Sequence, residues 1–244
     1  MPRRNFLLTL AYDGTNFAGW QRLPGEQRTV QGTVEACLAT LLGEPIELTG
    51  AGRTDRGVHA EAQAASFHSR TPLAPEELLG ALRAALPADV TARSCVEVSP
   101  RFYARYGVKA KTYRYRLHIG KPEPSVRPTS LQVSTPLDLD AMRAAALLLE
   151  GEHDFSAFTN ARDVATRRRV DAIRVVENGS FVDLLFVAKG FLYNQVRIMS
   201  GALLAVGEGR ISPPEISRLL ESGPRAEAPG ALGPFGLCLV DVRY

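Results

Sequence analysis

Cysteine is scarce. The chain has three, Cys37, Cys95 and Cys238, far apart and odd in number. There is no CxxC pair and no zinc-ligand spacing, so neither a disulfide framework nor a metal site is expected, and the chain reads as a reduced, cytoplasmic protein. No stretch approaches the roughly 18 to 20 consecutive apolar residues of a membrane-spanning helix. The opening Met-Pro-Arg-Arg-Asn-Phe meets charge too early for a secretory signal. GxSxG and HExxH are both missing, and no Lys-Ser or Lys-Thr follows a glycine-rich stretch, which excludes a P-loop. Acidic residues are absent altogether from Arg101 to Lys121.

What is present is ample for folding. With 244 residues, 45% hydrophobic and 23% charged, the chain can form one large domain or two small ones with real cores, and it is not disordered. Of the 29 basic residues, 25 are arginine, the residue suited to bidentate phosphate contact and to stacking on bases. Codon bias explains part of this, since Ala, Gly, Pro and Leu are abundant too. Placement is more informative than composition. Arg101, Arg105, Lys109, Lys111, Arg114, Arg116 and Lys121 form a run of one sign, interleaved with Phe102, Tyr103, Tyr106, Tyr113 and Tyr115. A second cluster is Arg167-Arg168-Arg169. Solvated faces usually mix signs, so this pattern points to nucleic acid, with these residues as candidate phosphate contacts.

Periodicity predicts strands over 6–12, 46–49, 59–69 and 90–98. A helix from Val30 is stopped by Gly43 and Pro45, and a second starts at Pro75. That order is βαββαβ. It repeats with a strand over 112–119, a helix capped by Asp138, strands over 169–177 and 181–189 around Asn178-Gly179, a helix over 192–206, a short helix over 214–221 and a strand over 237–243. The expectation is an α+β fold of two βαββαβ halves, 1–105 and 106–244. They would join in one mainly antiparallel eight-stranded sheet, with helices on one face and a groove for RNA on the other.

The segment Gly50-Ala51-Gly52-Arg53-Thr54-Asp55-Arg56-Gly57-Val58-His59-Ala60 begins like a dinucleotide fingerprint. However, Asp55 takes the third glycine position and a strand follows instead of a helix, which excludes a Rossmann site. What remains is a carboxylate between Arg53 and Arg56, on a loop whose glycines permit close approach. It reads either as an Arg–Asp turn network or as a site in which the guanidinium groups favour an ionised, nucleophilic Asp55. His59 and His68 are nine positions apart on one strand and face opposite sides, so they do not form a pair.

The chain resembles the TruA family of tRNA pseudouridine synthases. The resemblance rests on Gly52-Arg53-Thr54-Asp55-Arg56-Gly57-Val58-His59-Ala60, on Tyr12-Asp13-Gly14-Thr15-Asn16-Phe17-Ala18-Gly19-Trp20-Gln21, on Thr29-Val30-Gln31-Gly32 and on Lys111-Thr112-Tyr113-Arg114-Tyr115. Gly151-Glu152-His153-Asp154-Phe155 and Phe191-Leu192 with Val196-Arg197 complete it. Arg56 departs from the pattern, where a small residue is commoner; it could add a phosphate contact. The resemblance implies cofactor-free isomerisation of uridine to pseudouridine at positions 38, 39 and 40, on the 3′ side of the tRNA anticodon stem-loop, by a homodimer. It implies that Asp55 is the catalytic carboxylate, that Arg197 is its ion-pair partner, that Tyr113 stacks on the target uracil with Leu192 nearby, and that Arg53 replaces the flipped base.

Physical chemistry supports two of these roles independently. On a strand, Tyr113, Tyr115 and Leu117 share one face and Arg114 and Arg116 the other. Arg197 sits near the positive end of its helix, where a cation needs an anionic partner. The rival readings are a non-catalytic RNA-binding protein of paired RRM-like units and a metal-assisted nuclease.

Overall fold

The computed structural model describes residues 3–244, in two compact units. One runs to Lys109 and takes in Leu239–Tyr244; the other is Ala110–Cys238. Each combines a sheet with helices, a mixed α/β arrangement.

In the first unit the elements are β1 (Arg4–Tyr12), α1 (Val30–Leu42), β2 (Thr49–Gly50), β3 (His59–Ser69), α2 (Pro75–Ala85) and β4 (Val90–Val98). β1 lies between β3 and β4, antiparallel to both. Alternation along β1 puts Phe6, Leu8 and Leu10 on one face, all fully buried. Phe67 of β3 stacks on Phe6 with ring centroids 5.4 Å apart. The helices supply Val30, Val34, Leu38, Leu78 and Leu82 to the core, each fully buried and each worth roughly 1.5–3 kcal/mol. Local chemistry fixes the helix ends. Thr29 accepts the Gly32 N–H, and Gly43 closes α1 in the left-handed region at φ 66°; Pro75 opens α2. The opposite sheet face carries a smaller cluster of Ala51, Ala64 and Val108, with Leu7, Val242 and Tyr244 packed against it.

The second unit contains β5 (Ala110–Ile119), β6 (Leu131–Val133), α3 (Leu139–Leu149), β7 (Gly151–Asp154), β8 (Arg167–Val170), β9 (Ala172–Asn178), β10 (Phe181–Ala188), α4 (Gln195–Gly207) and α5 (Pro213–Ser222), and leads into β11 (Leu237–Arg243). β10 pairs antiparallel with both β5 and β9, and the β9–β10 turn uses Gly179 at φ 61°. β6 runs parallel to β5, and β7 and β8 make a separate hairpin. From Leu239 onward β11 belongs to the first unit, beside β3.

The expected elements are present with three differences. The strand expected over 46–49 is reduced to Thr49–Gly50, because Ile46 and Leu48 are buried by packing and not by a ladder. α4 starts at Gln195 and not at Leu192, because Asn194 adopts φ 59° and the Gln195 side chain accepts the Leu192 N–H. Three short strands depart from the expected set: β6 and β7 are additional to it, and β8 takes the first residues of the strand expected over 169–177, which breaks at Asp171 before β9; β6 and β7 are too short to show a period-two pattern of their own.

Candidate active site

The glycine-rich loop between β2 and β3 docks on the segment that follows β1. Trp20 N–H donates to Thr54 O at 3.0 Å and Gly57 N–H to Phe17 O at 3.3 Å, while the Tyr12 and Thr54 hydroxyls meet at 2.8 Å. Gly19, at φ 108°, lies where a Cβ would stand 2.8 Å from Thr54 O; a Cβ on Gly50 would stand 2.6 Å from the Trp20 indole nitrogen. Gln63 Nε2 donates to Gly52 O at 2.9 Å. The loop backbone is therefore fixed from three sides. Arg53 and Arg56, which flank Asp55 in sequence, are exposed, and Asp55 is half-buried. Arg56 also donates to Gln27 at 3.2 Å. Preorganisation of this kind is what a reacting carboxylate needs.

His59 has a structural part here. Its Nδ1 accepts the Gly14 N–H at 3.1 Å, so the nitrogen facing Asp13 Oδ1 at 3.2 Å is an acceptor while that bond stands. Partial burial opposes ionisation of Asp13, but hydrogen bonds from the Thr15 hydroxyl and amide outweigh it and hold the carboxyl below its ordinary range. Beside it, Arg28 forks onto Asp89 at 2.6 and 2.9 Å and lies 4.1 Å above the Phe17 ring.

In the second unit the structure brings Tyr113, Leu192 and Arg197 onto adjoining segments. Tyr113 is buried on β5 and meets Phe191 edge-on at 5.5 Å, next to buried Leu192. Tyr115, fully buried, donates to Gly233 O at 2.8 Å. Burial pushes its phenol well above the ordinary range, against the opposing charge of Arg197. Arg197, in the first turn of α4, gives its Nε–H to Leu232 O at 2.6 Å. Sequence reasoning missed the polar support behind this group. Asn160 Nδ2 donates to Asn194 Oδ1 at 2.9 Å, Arg225 Nε to Asn160 Oδ1 at 3.0 Å, and Asn160 N–H to Tyr193 O at 3.2 Å. Only the Asn-Gln pair before Val196 hints at it.

The candidate phosphate contacts differ among themselves. Arg101, Arg105 and Lys109 are exposed; Lys111 and Arg114 are half-buried on β5. Arg116 forks onto Asp183 at 2.7 Å through both Nε and Nη2. Arg167 pairs with Glu152 at 2.8 Å and Arg169 with Asp171 at 3.2 Å, while Arg168 donates to the Arg167 carbonyl. The second basic cluster is thus mixed in sign in space. Among the described residues no group of three or more His, Cys, Asp or Glu could hold a metal ion, and no helix is long and apolar enough to cross a membrane.

A family model described as tRNA pseudouridine synthase matches residues 9–107 and 145–244. The chain is 43% identical over 241 residues to tRNA pseudouridine synthase A of Moorella thermoacetica, covering 97% of this chain and 98% of that protein. It is 40% identical over 244 residues to the protein of that name from Caldicellulosiruptor bescii (99% and 100%) and 41% identical over 244 residues to that from Geobacter sulfurreducens (99% and 100%).

Proposed function

Because the chain belongs to the tRNA pseudouridine synthase family and isomerises uridine to pseudouridine in tRNA, we propose that Asp55 is the nucleophile of that reaction. The N1–C1′ glycosidic bond breaks, the uracil turns, and C5 bonds to C1′; a proton leaves C5 and one is gained at N1, so the sum is an isomerisation. A covalent step on a carboxylate divides one difficult displacement into two easier ones. Arg197 acts with Asp55 as a catalytic cation, Tyr113 stacks on the uracil, Leu192 packs beside it, and Arg53 replaces the extruded base, whose unstacking costs a few kcal/mol. The observation that carries the reading is the rigid loop that holds a half-buried Asp55 between two exposed arginines.

The tRNA partner is read through shape and phosphates. The proposed contacts are Arg56, Arg101, Arg105, Lys109, Lys111 and Arg114, the edge of Arg116 not held by Asp183, and Arg167, Arg168 and Arg169. The 3′ side of the anticodon stem-loop as target, a homodimeric state, a cytoplasmic location and two βαββαβ halves, 1–105 and 106–244, are parts of the same proposal. The test is Asp55→Asn, assayed for tRNA binding and, by carbodiimide-primer extension, for pseudouridine. Binding retained with no product is expected; normal product formation would remove Asp55 from the chemistry. A nuclease would cut the RNA and lose activity in EDTA, whereas intact RNA carrying pseudouridine excludes it.

A further inference from the structure

The segment 99–109 crosses the face of the first sheet opposite Phe6, Leu8 and Phe67, and it is held there at several points. Asn5 Nδ2 donates to Ser99 O and Phe102 O, both at 2.8 Å. Ser66 Oγ accepts the Ala104 N–H at 3.0 Å, and Tyr244 donates to Ala104 O at 2.8 Å. Phe102 packs edge-on against Tyr244 at 5.0 Å, and Ala104 and Val108 are buried.

On this fixed strap two large aromatics point outward. Tyr106 is 77% exposed and Tyr103 46%. Their rings meet each other at 6.2 Å, and Tyr103 meets His68 at 6.0 Å. His68 Nε2 is itself tied to Pro100 O at 3.0 Å. Such exposure contributes nothing to the core. Arg101, Arg105 and Lys109 flank the rings in sequence and are exposed, and among the described residues no acidic side chain pairs with them, whereas Arg4, Arg28, Arg167, Arg174 and Arg218 are each paired. Aromatic faces beside unneutralised guanidinium groups are the chemistry of single-stranded RNA binding.

From these observations we infer that Tyr103 and Tyr106 form a stacking platform for an unpaired base of the tRNA, remote from the reacting uridine, with Arg101 and Arg105 on its phosphates. His59 and His68 stand at opposite ends of β3, nine residues and so roughly 30 Å apart, which separates this platform from the Asp55 loop. The inference rests on the tRNA reading above and extends it to a second part of the same molecule.

The experiment titrates a labelled full-length tRNA transcript with the intact protein and follows pseudouridine formation in parallel. Replacing both rings (Tyr103→Ala with Tyr106→Ala) should weaken binding about tenfold, the scale of one base stack, and raise KM by the same factor with kcat changed less than twofold. Tyr103→Phe with Tyr106→Phe should bind within twofold of the parent, because the ring face is what acts. Tyr106→Ala alone, at the most exposed position, should leave the melting temperature unchanged and weaken binding at least threefold. Undiminished binding by the alanine variants would overturn the inference, as would equal loss in the phenylalanine variant. A change of molar mass by light scattering would also overturn it, assigning the rings to contact with a second copy of the chain. If the parent protein itself made no pseudouridine, the functional reading would fail; if only the variants behaved as the parent, the platform alone would.

Discussion

Gly14 lies so close under Val58 that any side chain on Gly14 would overlap the Val58 carbonyl oxygen. This contact seats the segment after β1 on the Asp55 loop, and it explains why a glycine stands in the run Asp13-Gly14-Thr15. Gly14→Ala is expected to cost about 1–3 kcal/mol, because the obstacle is backbone and cannot turn aside. It should lower the melting temperature by several degrees and depress single-turnover pseudouridine formation more than tRNA binding. Gly80, inside α2 with open space around it, is the contrast: Gly80→Ala should stabilise by roughly 0.5–1 kcal/mol. Thermal melts of the two variants should therefore shift in opposite directions.

Much of the framework was legible because short-range chemistry dictated it. The bounds 59–69 and 90–98, the Pro75 start, the Asp138 cap and the Gly43 stop all follow from local rules that tertiary packing did not override. The site was legible in part. Its loop could be found because glycines, arginines and a carboxylate are adjacent in sequence. The supports of the second group could not, because Asn160, Asn194 and Arg225 are brought together only by folding. The same limit applies to charge. Arg167 and Arg169 form a single-sign run in sequence, yet Glu152 arrives from the neighbouring strand and Asp171 turns back on Arg169.

Arg116 and Arg56 should consequently respond differently to replacement. Arg116 is held bidentately by Asp183, a largely buried carboxylate. Arg116→Gln would strand that charge and should destabilise the protein by about 2–4 kcal/mol, with most of the loss recovered on adding Asp183→Asn. Denaturant midpoints of the four proteins in the cycle give the coupling directly. Arg56 is exposed, and Arg56→Gln should leave the midpoint alone. Instead it should flatten the dependence of log K for tRNA on log salt by about 0.7–0.9, the share of a single phosphate that the side chain no longer neutralises.

Asn160 is expected to behave as a positioning residue. It links Asn194, whose left-handed backbone sets the start of α4, to Arg225. Phe191 and Leu192 precede that turn and Arg197 follows it. Asn160→Ala should cost about 1–2 kcal/mol of stability and, by loosening the turn, lower kcat about tenfold while leaving the Kd for tRNA within twofold. An unchanged kcat would limit Asn160 to a structural part.

The clamp between Arg28 and Asp89 supplies a pH test with a definite sign. The hydrogen bond from Arg28 holds the Asp89 carboxyl below its ordinary range, more strongly than partial burial raises it. A group whose folded value is depressed stabilises above its unfolded value, about 3.9, and loses that contribution as pH falls through the folded value. The stability difference between the parent protein and Asp89→Asn should therefore be constant from about pH 5 to 8 and shrink toward zero below about pH 4. Its size should be below about 1 kcal/mol, since both partners are partly solvated. The clamp also stacks Arg28 on Phe17 and stands beside the backbone bond from Asp13 N to Asp89 O at 3.0 Å, so its loss should propagate to the loop. Pseudouridine formation by Asp89→Asn should fall about two- to threefold at pH 7, with Arg28→Lys intermediate because an ammonium cannot fork onto both oxygens. Urea midpoints against pH measure the first effect, and single-turnover rates measure the second. A stability difference that instead grew on acidification would place the pKa shift of Asp89 in the opposite direction.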